Sequence, residues 1–126
     1  MSKPLNLSSP PTNADQAPSW LDQAILWARQ SNATDLHFFP SEEYACLCVR
    51  VDGVLCEIAH YAPDIHARLI ARLKVLGRCT AYEGELVQEG RFSLNGKNAP
   101  QCEARLSIVP TLTGEKAVLR LLAQND

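Results

Sequence analysis

The sequence predicts an α+β domain: a mostly antiparallel sheet of about six strands with two helices packed on one face, in the order α-β-β-β-α-β-β-β. Three observations carry this expectation. Two alternating, β-branched runs meet at Asp52-Gly53, a dipeptide suited to a tight type I′ turn because both of its positions need φ > 0. Two stretches, one opening at Ser19 and one at Pro63, space their apolar residues as helices do. After the second of them, three more runs alternate apolar and polar residues.

Residues 1–18 carry four prolines among Ser, Asn and Thr and have little to bury, so they are expected to be a disordered arm or linker ahead of a domain over 19–126. Ser19 is read as the N-cap of the first helix, with Asp22 three residues on, close to a capping box. Trp20, Leu21, Ala24, Ile25, Trp27 and Ala28 form its apolar stripe, the tryptophans serving as packing anchors, and the helix stops by Ser31-Asn32. Thr34–Phe39 reads as a strand with Leu36 and Phe38 on one side and Asp35, His37 and Phe39 on the other, and Pro40 ends it.

The hairpin strands follow at about Tyr44–Val51 and Val54–His60. A tight Asp52-Gly53 turn sets Val51 against Val54, Val49 against Cys56 and Leu47 against Ile58 on a face turned to the helices. The other face then has Arg50 opposite Leu55 and Cys48 opposite Glu57. Pro63-Asp64 starts the second helix, with Ile65, Leu69, Leu73 and Leu76 inward, His66, Arg68, Arg72 and Lys74 elsewhere, and Gly77 suited to the C′ position.

Cys79–Glu89 is a poorly patterned connector with Glu83, Glu85 and Glu89 in it. Phe92 and Leu94 then match Cys102, Ala104, Leu106 and Ile108 as inward residues of two strands. A bare Asn95-Gly96 turn would point Glu103 and Arg105 inward, so an odd-length loop such as Asn95–Ala99 is expected, which places Arg91 opposite Glu103. A last strand, Glu115–Leu122, follows a turn at Thr113-Gly114, with Ala117, Leu119 and Leu121 on one face and Lys116, Val118 and Arg120 on the other.

At 126 residues the chain can bury a normal single core without disulfides or metals, and 46% apolar with 21% charged residues is ordinary for a globular protein. A net charge of −2 gives no push toward nucleic acid or an anionic membrane, so no nucleic-acid partner is expected. No apolar run approaches the ~20 residues of a membrane span, and Met-Ser-Lys-Pro lacks a secretory h-region, so no direct membrane insertion is expected. Cys46, Cys48, Cys56 and Cys102 sit in strand-like runs without zinc-knuckle spacing and read as buried, reduced thiols, which points to the cytoplasm.

Chemistry is conspicuous by what is missing from the chain. Neither Gly84…Gly90 nor Gly96-Lys97 forms a phosphate loop, and there is no G-x-S-x-G, H-E-x-x-H or dinucleotide fingerprint. His37, His60 and His66 fall on a strand, a strand end and a helix, so no metal trio is read from them, and no catalytic residue is assigned. What remains is a polar sheet face rich in arginine: Arg50, Arg91, Arg105 and Arg120, with Lys116. It is either solvated and paired with Glu57 and Glu103, or a contact surface for phosphate or carboxylate, which a guanidinium fork binds bidentately.

Six stretches then match one family in order. Ala33-Thr34-Asp35-Leu36-His37 with Val49-Arg50-Val51-Asp52-Gly53-Val54-Leu55 resembles "A-S-D-I-H … R-x-D-G-V-L", and Ala71–Leu76 resembles "S-R-I-K-V-M". Gln88-Glu89-Gly90-Arg91 is similar to "Q-D-G-R", Arg105–Thr111 to "R-V-S-T-L-P-T", and Gly114–Leu122 to "G-E-K-V-V-L-R-L-L". These motifs resemble the second N-terminal domain of the ATPases that drive type II secretion and type IV pilus assembly (the GspE/PilB group).

The resemblance implies a PAS-like fold and a domain that precedes a RecA-like ATPase domain. It implies no activity and no cofactor in the isolated chain, with ATP contacted only together with an ATPase domain. The partners it implies are secretion or pilus ATPase domains or subunits, in a hexamer. Arginines of this domain would reach phosphates held there; the matching positions are Arg91 and Arg105, with Arg50 a weaker candidate. The family's "K-R-L-P-Q-D-G-R" reads Gly84-Glu85-Leu86-Val87-Gln88-Glu89-Gly90-Arg91 here, and the glutamate of "D-I-H-x-E" is Phe39. Those departures weaken anion binding and leave open a freestanding adaptor or regulator docking on such an ATPase. A PAS-like small-molecule sensor is the lesser alternative.

Overall fold

The computed structural model describes residues 7, 9–79, 86–95 and 102–122. Six strands form one antiparallel sheet and two helices cover one of its faces, as the patterning predicts. We number the strands β1 Asp35–Phe39, β2 Ala45–Val51, β3 Val54–Tyr61, β4 Gln88–Leu94, β5 Cys102–Thr111 and β6 Gly114–Leu121. The helices are α1 Ala17–Gln30 and α2 Pro63–Leu76, with a short 3-10 turn at Ala14–Gln16 ahead of α1. The sheet order is β3-β2-β1-β6-β5-β4, so two three-stranded meanders meet where β1 pairs with β6.

The core lies between sheet and helices. Leu36, Phe38, Leu47, Val49, Ala104, Leu106, Ile108, Ala117 and Leu119 from the strands meet Leu21, Ala24, Ile25, Ile65, Leu69 and Leu73 from the helices, all of them buried. Truncating any of the large ones costs about 2–5 kcal/mol, because the transfer term and the cavity term add. Trp20 packs edge-on to Tyr61 with ring centroids 6.0 Å apart. Arg72 ties the helices together, its Nη2 donating to Asp22 Oδ2 at 2.9 Å.

Helix ends differ from the sequence reading. α1 begins before Ser19 because Pro18, which lacks an amide donor, fits the first turn; Asn13 caps the preceding 3-10 turn by accepting from the Asp15 amide at 2.9 Å. At the end of α2, Gly77 keeps φ −83 and the left-handed residue is Arg78, at φ 59. Glycine at position 77 answers a packing need instead. A Cβ on Gly90 would lie 2.5 Å from the Gly77 carbonyl oxygen, so the end of α2 rests directly on the backbone of β4.

The hairpin turn is as expected, with φ 52 at Asp52 and 79 at Gly53, and Val51, Arg50, Val49 and Cys48 pair with Val54, Leu55, Cys56 and Glu57. Register then shifts by a bulge, so Leu47 faces Ala59 rather than Ile58. Val54 and Cys56 lie opposite Val51 and the buried Val49 and so share the helix side of the sheet, but they are not buried: residues 54–57 at the tip of this edge strand are exposed, and only Ile58, Ala59 and Tyr61 farther along it pack on the core. Cys56 is therefore an exposed thiol, whereas Cys48 and Cys102 are buried.

The β4–β5 register corrects another expectation. Leu94 pairs with Cys102, leaving residues 95–101 between the strands, so the loop has the required odd parity but is longer than Asn95–Ala99. Arg91 consequently lies opposite Arg105, and Glu103 lies opposite Ser93. The expected loop conformation and the acidic connector at Glu83 and Glu85 fall outside the described residues. The last turn is centred on Leu112-Thr113, since Thr111 pairs with Gly114. No described helix is long and apolar enough to cross a membrane.

Candidate arginine face

Alternation along each strand sends one set of side chains to the helices and the other to the open face. Because registers are fixed from β4 to β2, residues on that face line up in rows across the sheet. One row reads Arg91, Arg105, Arg120, Asp35, Arg50, each residue directly opposite the next. The three predicted contact residues, Arg91, Arg105 and Arg50, thus share a face and a row, but the structure does not group them equally. Arg91 and Arg105 are neighbours, whereas β6 and β1 separate them from Arg50.

Arg50 is already engaged. Its Nε lies 3.4 Å from Asp35 Oδ2, and its Nη1 donates to the Gly53 carbonyl at 3.0 Å. Asp35 is the hub of this end of the row, with a side chain only 10% exposed. Its Oδ1 accepts from Thr34 Oγ1 at 2.7 Å and its Oδ2 from His37 Nε2 at 2.5 Å. Burial alone would raise the Asp35 pKa, but the Thr34 and His37 hydrogen bonds and the charges of His37 and Arg50 outweigh it and hold the carboxyl below its ordinary value. His37 stacks on Phe39, with centroids 5.7 Å apart, and Lys116 Nζ sits 4.9 Å above the Phe39 ring.

The other end of the row is different. Arg91, Arg105 and Arg120 are exposed, and among the described residues none of them has a carboxylate within ion-pair distance. Like charges directly opposite one another in a sheet are destabilising. Glu89 and Glu103 stand one row away on either side, opposite Ser107 and Ser93 rather than an arginine. The arrangement can accept an anion laid across β4, β5 and β6. Among the described residues no group of three or more His, Cys, Asp or Glu is placed to hold a metal.

Sequence reading missed two features that support this face. Lys74, read only as lying off the apolar stripe of α2, is buried, with Nζ 2.9 Å from Oε1 and 2.9 Å from Oε2 of Glu115 on β6. His66, likewise read off that stripe, is buried and its Nε2–H donates to the Glu115 carbonyl at 2.7 Å. Burial pushes the His66 pKa down against the raising effect of the Glu115 carbonyl and carboxylate, so the ring is neutral. One polar residue of β6 thus anchors two of α2, and the signal available in sequence was a lysine and a histidine spaced for the same helix face as Ile70. Near this anchor a half-open cleft of about 350 Å³ is lined by residues that include Pro40, His66, Ile70, Pro110 and Glu115.

The structure defines an α+β domain of six antiparallel strands, with two helices on one face and an arginine row on the other. The chain belongs to the type II/IV secretion system protein family, which matches residues 12–126. It is similar to the type IV pilus assembly ATPase PilB of Acinetobacter baylyi, 40% identical over 95 residues, or 75% of this chain and 16% of that protein. It is also similar to type II secretion system protein E of Pseudomonas aeruginosa, 37% identical over 95 residues, covering 75% of this chain and 19% of the relative. The protein transport protein HofB homolog of Escherichia coli is 39% identical over 98 residues, 77% of this chain and 21% of its own length. The chain thus spans about a fifth or less of these relatives. Among solved structures the Legionella pneumophila ATPase DotB shares the fold, with TM-score 0.67 and 17% identity over 95% of this chain and 33% of that one.

Proposed function

We propose that the chain acts as a non-catalytic N-terminal domain of a type II secretion or type IV pilus assembly ATPase. In this reading it supplies packing surface and phosphate-facing arginines to an adjacent ATPase domain in a cytoplasmic hexamer. The observation that carries the reading is the direct opposition of Arg91 and Arg105 on an exposed sheet face without a carboxylate partner among the described residues. Two guanidinium forks side by side suit a phosphate group held by another domain, where each stabilises charge that develops during hydrolysis. Isolated like charges in register cost stability, and an anion delivered by a partner removes that cost.

The test is ATP turnover by the intact ATPase that carries this domain, or by an ATPase reconstituted with it. Arg91→Ala and Arg105→Ala should each lower turnover at least tenfold, a conservative share of the ~10³-fold or greater effects of arginine fingers. Turnover equal to that of the unaltered protein would overturn the reading.

A freestanding adaptor that docks on such an ATPase is the second reading, favoured by Gly84-Glu85 standing where the family has a basic pair. It expects co-purification with a secretion or pilus ATPase and no change in turnover when Arg91 is replaced.

A further inference from the structure

At its other end the open face carries a cluster of a different kind. Cys46 and Cys48 alternate with the core residues Leu47 and Val49, so both thiols stand on the open face of β2. Their Sγ atoms are 4.0 Å apart, and both are free thiols, Cys48 buried and Cys46 half-buried. Donors surround the pair. His37 on β1 and Glu57 on β3 stand directly opposite Cys48, and His60 on β3 stands opposite Cys46. Glu57 hydrogen-bonds Cys46, and its Oε1 lies 2.8 Å from His60 Nε2. His37 turns its Nε2 to Asp35 and keeps a buried Nδ1 without a hydrogen-bond partner. The next residue on this face of β2, Arg50, spends its guanidinium on Asp35 and the Gly53 carbonyl.

We infer that Cys46 and Cys48 form a dithiolate site for a soft, monovalent d10 metal cation of the Cu(I) class. The inference is independent of the phosphate-facing role proposed above. Thiolates favour soft ions, Cu(I) and zinc among them, and the geometry separates those two. A structural zinc site closes a tetrahedron of four donors. Among the described residues no three His, Cys, Asp or Glu side chains converge as they stand, so two sulfurs are the preset donors. Two bonds of metal–thiolate length, about 2.3 Å each, span the 4.0 Å gap at an S–metal–S angle of about 120°, more open than a tetrahedron. Cu(I) accepts so few and so open a set of ligands.

Binding moves two protons and no electrons. Each S–H bond is replaced by a sulfur–metal bond, both protons pass to solvent, and the metal keeps its oxidation state. Glu57, already hydrogen-bonded to Cys46, is positioned to take the first proton. Burial first, then the neighbouring sulfur and Glu57, pushes the Cys46 thiol up to about 12, and burial raises Cys48 as well. A cation between the sulfurs reverses the charge contributions to that rise.

The experiment is an anaerobic titration of the reduced 126-residue chain with Cu(I) against a coloured Cu(I) chelator, and in parallel with Zn²⁺ against a zinc indicator. The chain should take one Cu(I) from the chelator and bind Zn²⁺ at least about tenfold more weakly. Cys46→Ser and Cys48→Ser should each abolish the capture of Cu(I). Cys56→Ser and Cys79→Ser should keep it, since Cys56 lies on the helix side of the sheet and Cys79 follows α2. Cys48 is buried, so if Cys48→Ser fails to fold, X-ray absorption at the copper edge of the loaded, unaltered chain decides in its place, with two sulfur neighbours expected. Failure to take Cu(I), capture retained in Cys46→Ser, zinc bound as tightly as Cu(I), or a sulfur count other than two overturns the inference.

Discussion

Replacing Gly90 by alanine should displace the strand that carries Arg91. Gly90 is the inward-facing neighbour of Arg91 on β4, opposite Leu106, and an added Cβ would meet the Gly77 carbonyl oxygen at 2.5 Å and its carbonyl carbon and Cα at 3.0 Å each. These are backbone atoms, so no side-chain rotation relieves the overlap. Restoring ordinary contact at about 3.4 Å requires roughly 3.4 − 2.5 ≈ 0.9 Å of separation between the end of α2 and β4. Overpacking of this kind costs about 1–3 kcal/mol, and in a chain of 126 residues each kcal/mol moves Tm by about 3–5 °C.

A thermal melt followed by circular dichroism should therefore show Gly90→Ala lowered by about 10 °C. In the intact ATPase the same variant should lower ATP turnover, because Arg91 moves with its strand. Gly77→Ala is the control: its Cβ meets the flexible Leu106 Cδ2 tip at 3.0 Å, with the nearest backbone atoms at 3.4 and 3.5 Å, so its loss should be smaller. A Gly90→Ala melt within a degree of the unaltered protein would refute the argument that direct backbone contact positions β4.

Other outcomes follow from the α2–β6 anchor and the thiols. Lys74→Ala should destabilise by about 3–5 kcal/mol, because it strands the Glu115 carboxylate, and Lys74→Met with Glu115→Leu should recover much of that loss in a denaturant titration. His66 is held neutral by burial, so the unfolded chain takes up a proton near pH 6.5 that the folded one resists. Stability should then be full above that pH and fall as pH drops below it, and His66→Gln should flatten that part of a pH series of melts. Asp35 acts in a separate window: its lowered pKa contributes stability above about pH 3.8 that disappears as the carboxyl protonates. With a thiol-specific reagent under native conditions Cys56 should react first, since burial raises the pKa of Cys46 to about 12 and also raises those of Cys48, Cys79 and Cys102.

The residues explain which parts of this were legible in the sequence. Period-2 patterns mark every strand because one sheet face is buried and the other open, and Asp52-Gly53 declares its turn because few other pairs tolerate two positive φ values. Parity also excluded a bare Asn95-Gly96 turn. Parity cannot choose between five and seven loop residues, however, and that choice decides whether Arg91 meets Glu103 or Arg105. The Ile58 bulge and the exposure of Val54 are equally silent, since they depend on where the helix layer ends above the sheet. Lys74 and His66 fall off the Ile65, Leu69, Leu73 and Leu76 stripe, and their partner, Glu115, is distant in sequence and meets them only through the fold.

The pairing of β1 with β6 sets an order of events when the chain is made. These strands sit at the centre of the sheet, yet about eighty residues separate Leu36 from its partner Leu119. A chain emerging from its N-terminus can form the β1–β3 meander early, but it holds an open, apolar edge at β1 until the last strand arrives. Strand β6 therefore does two things in one step: it seals the edge and brings Arg120 beside Arg105. The arginine row from β4 to β6 exists only once the sheet is whole.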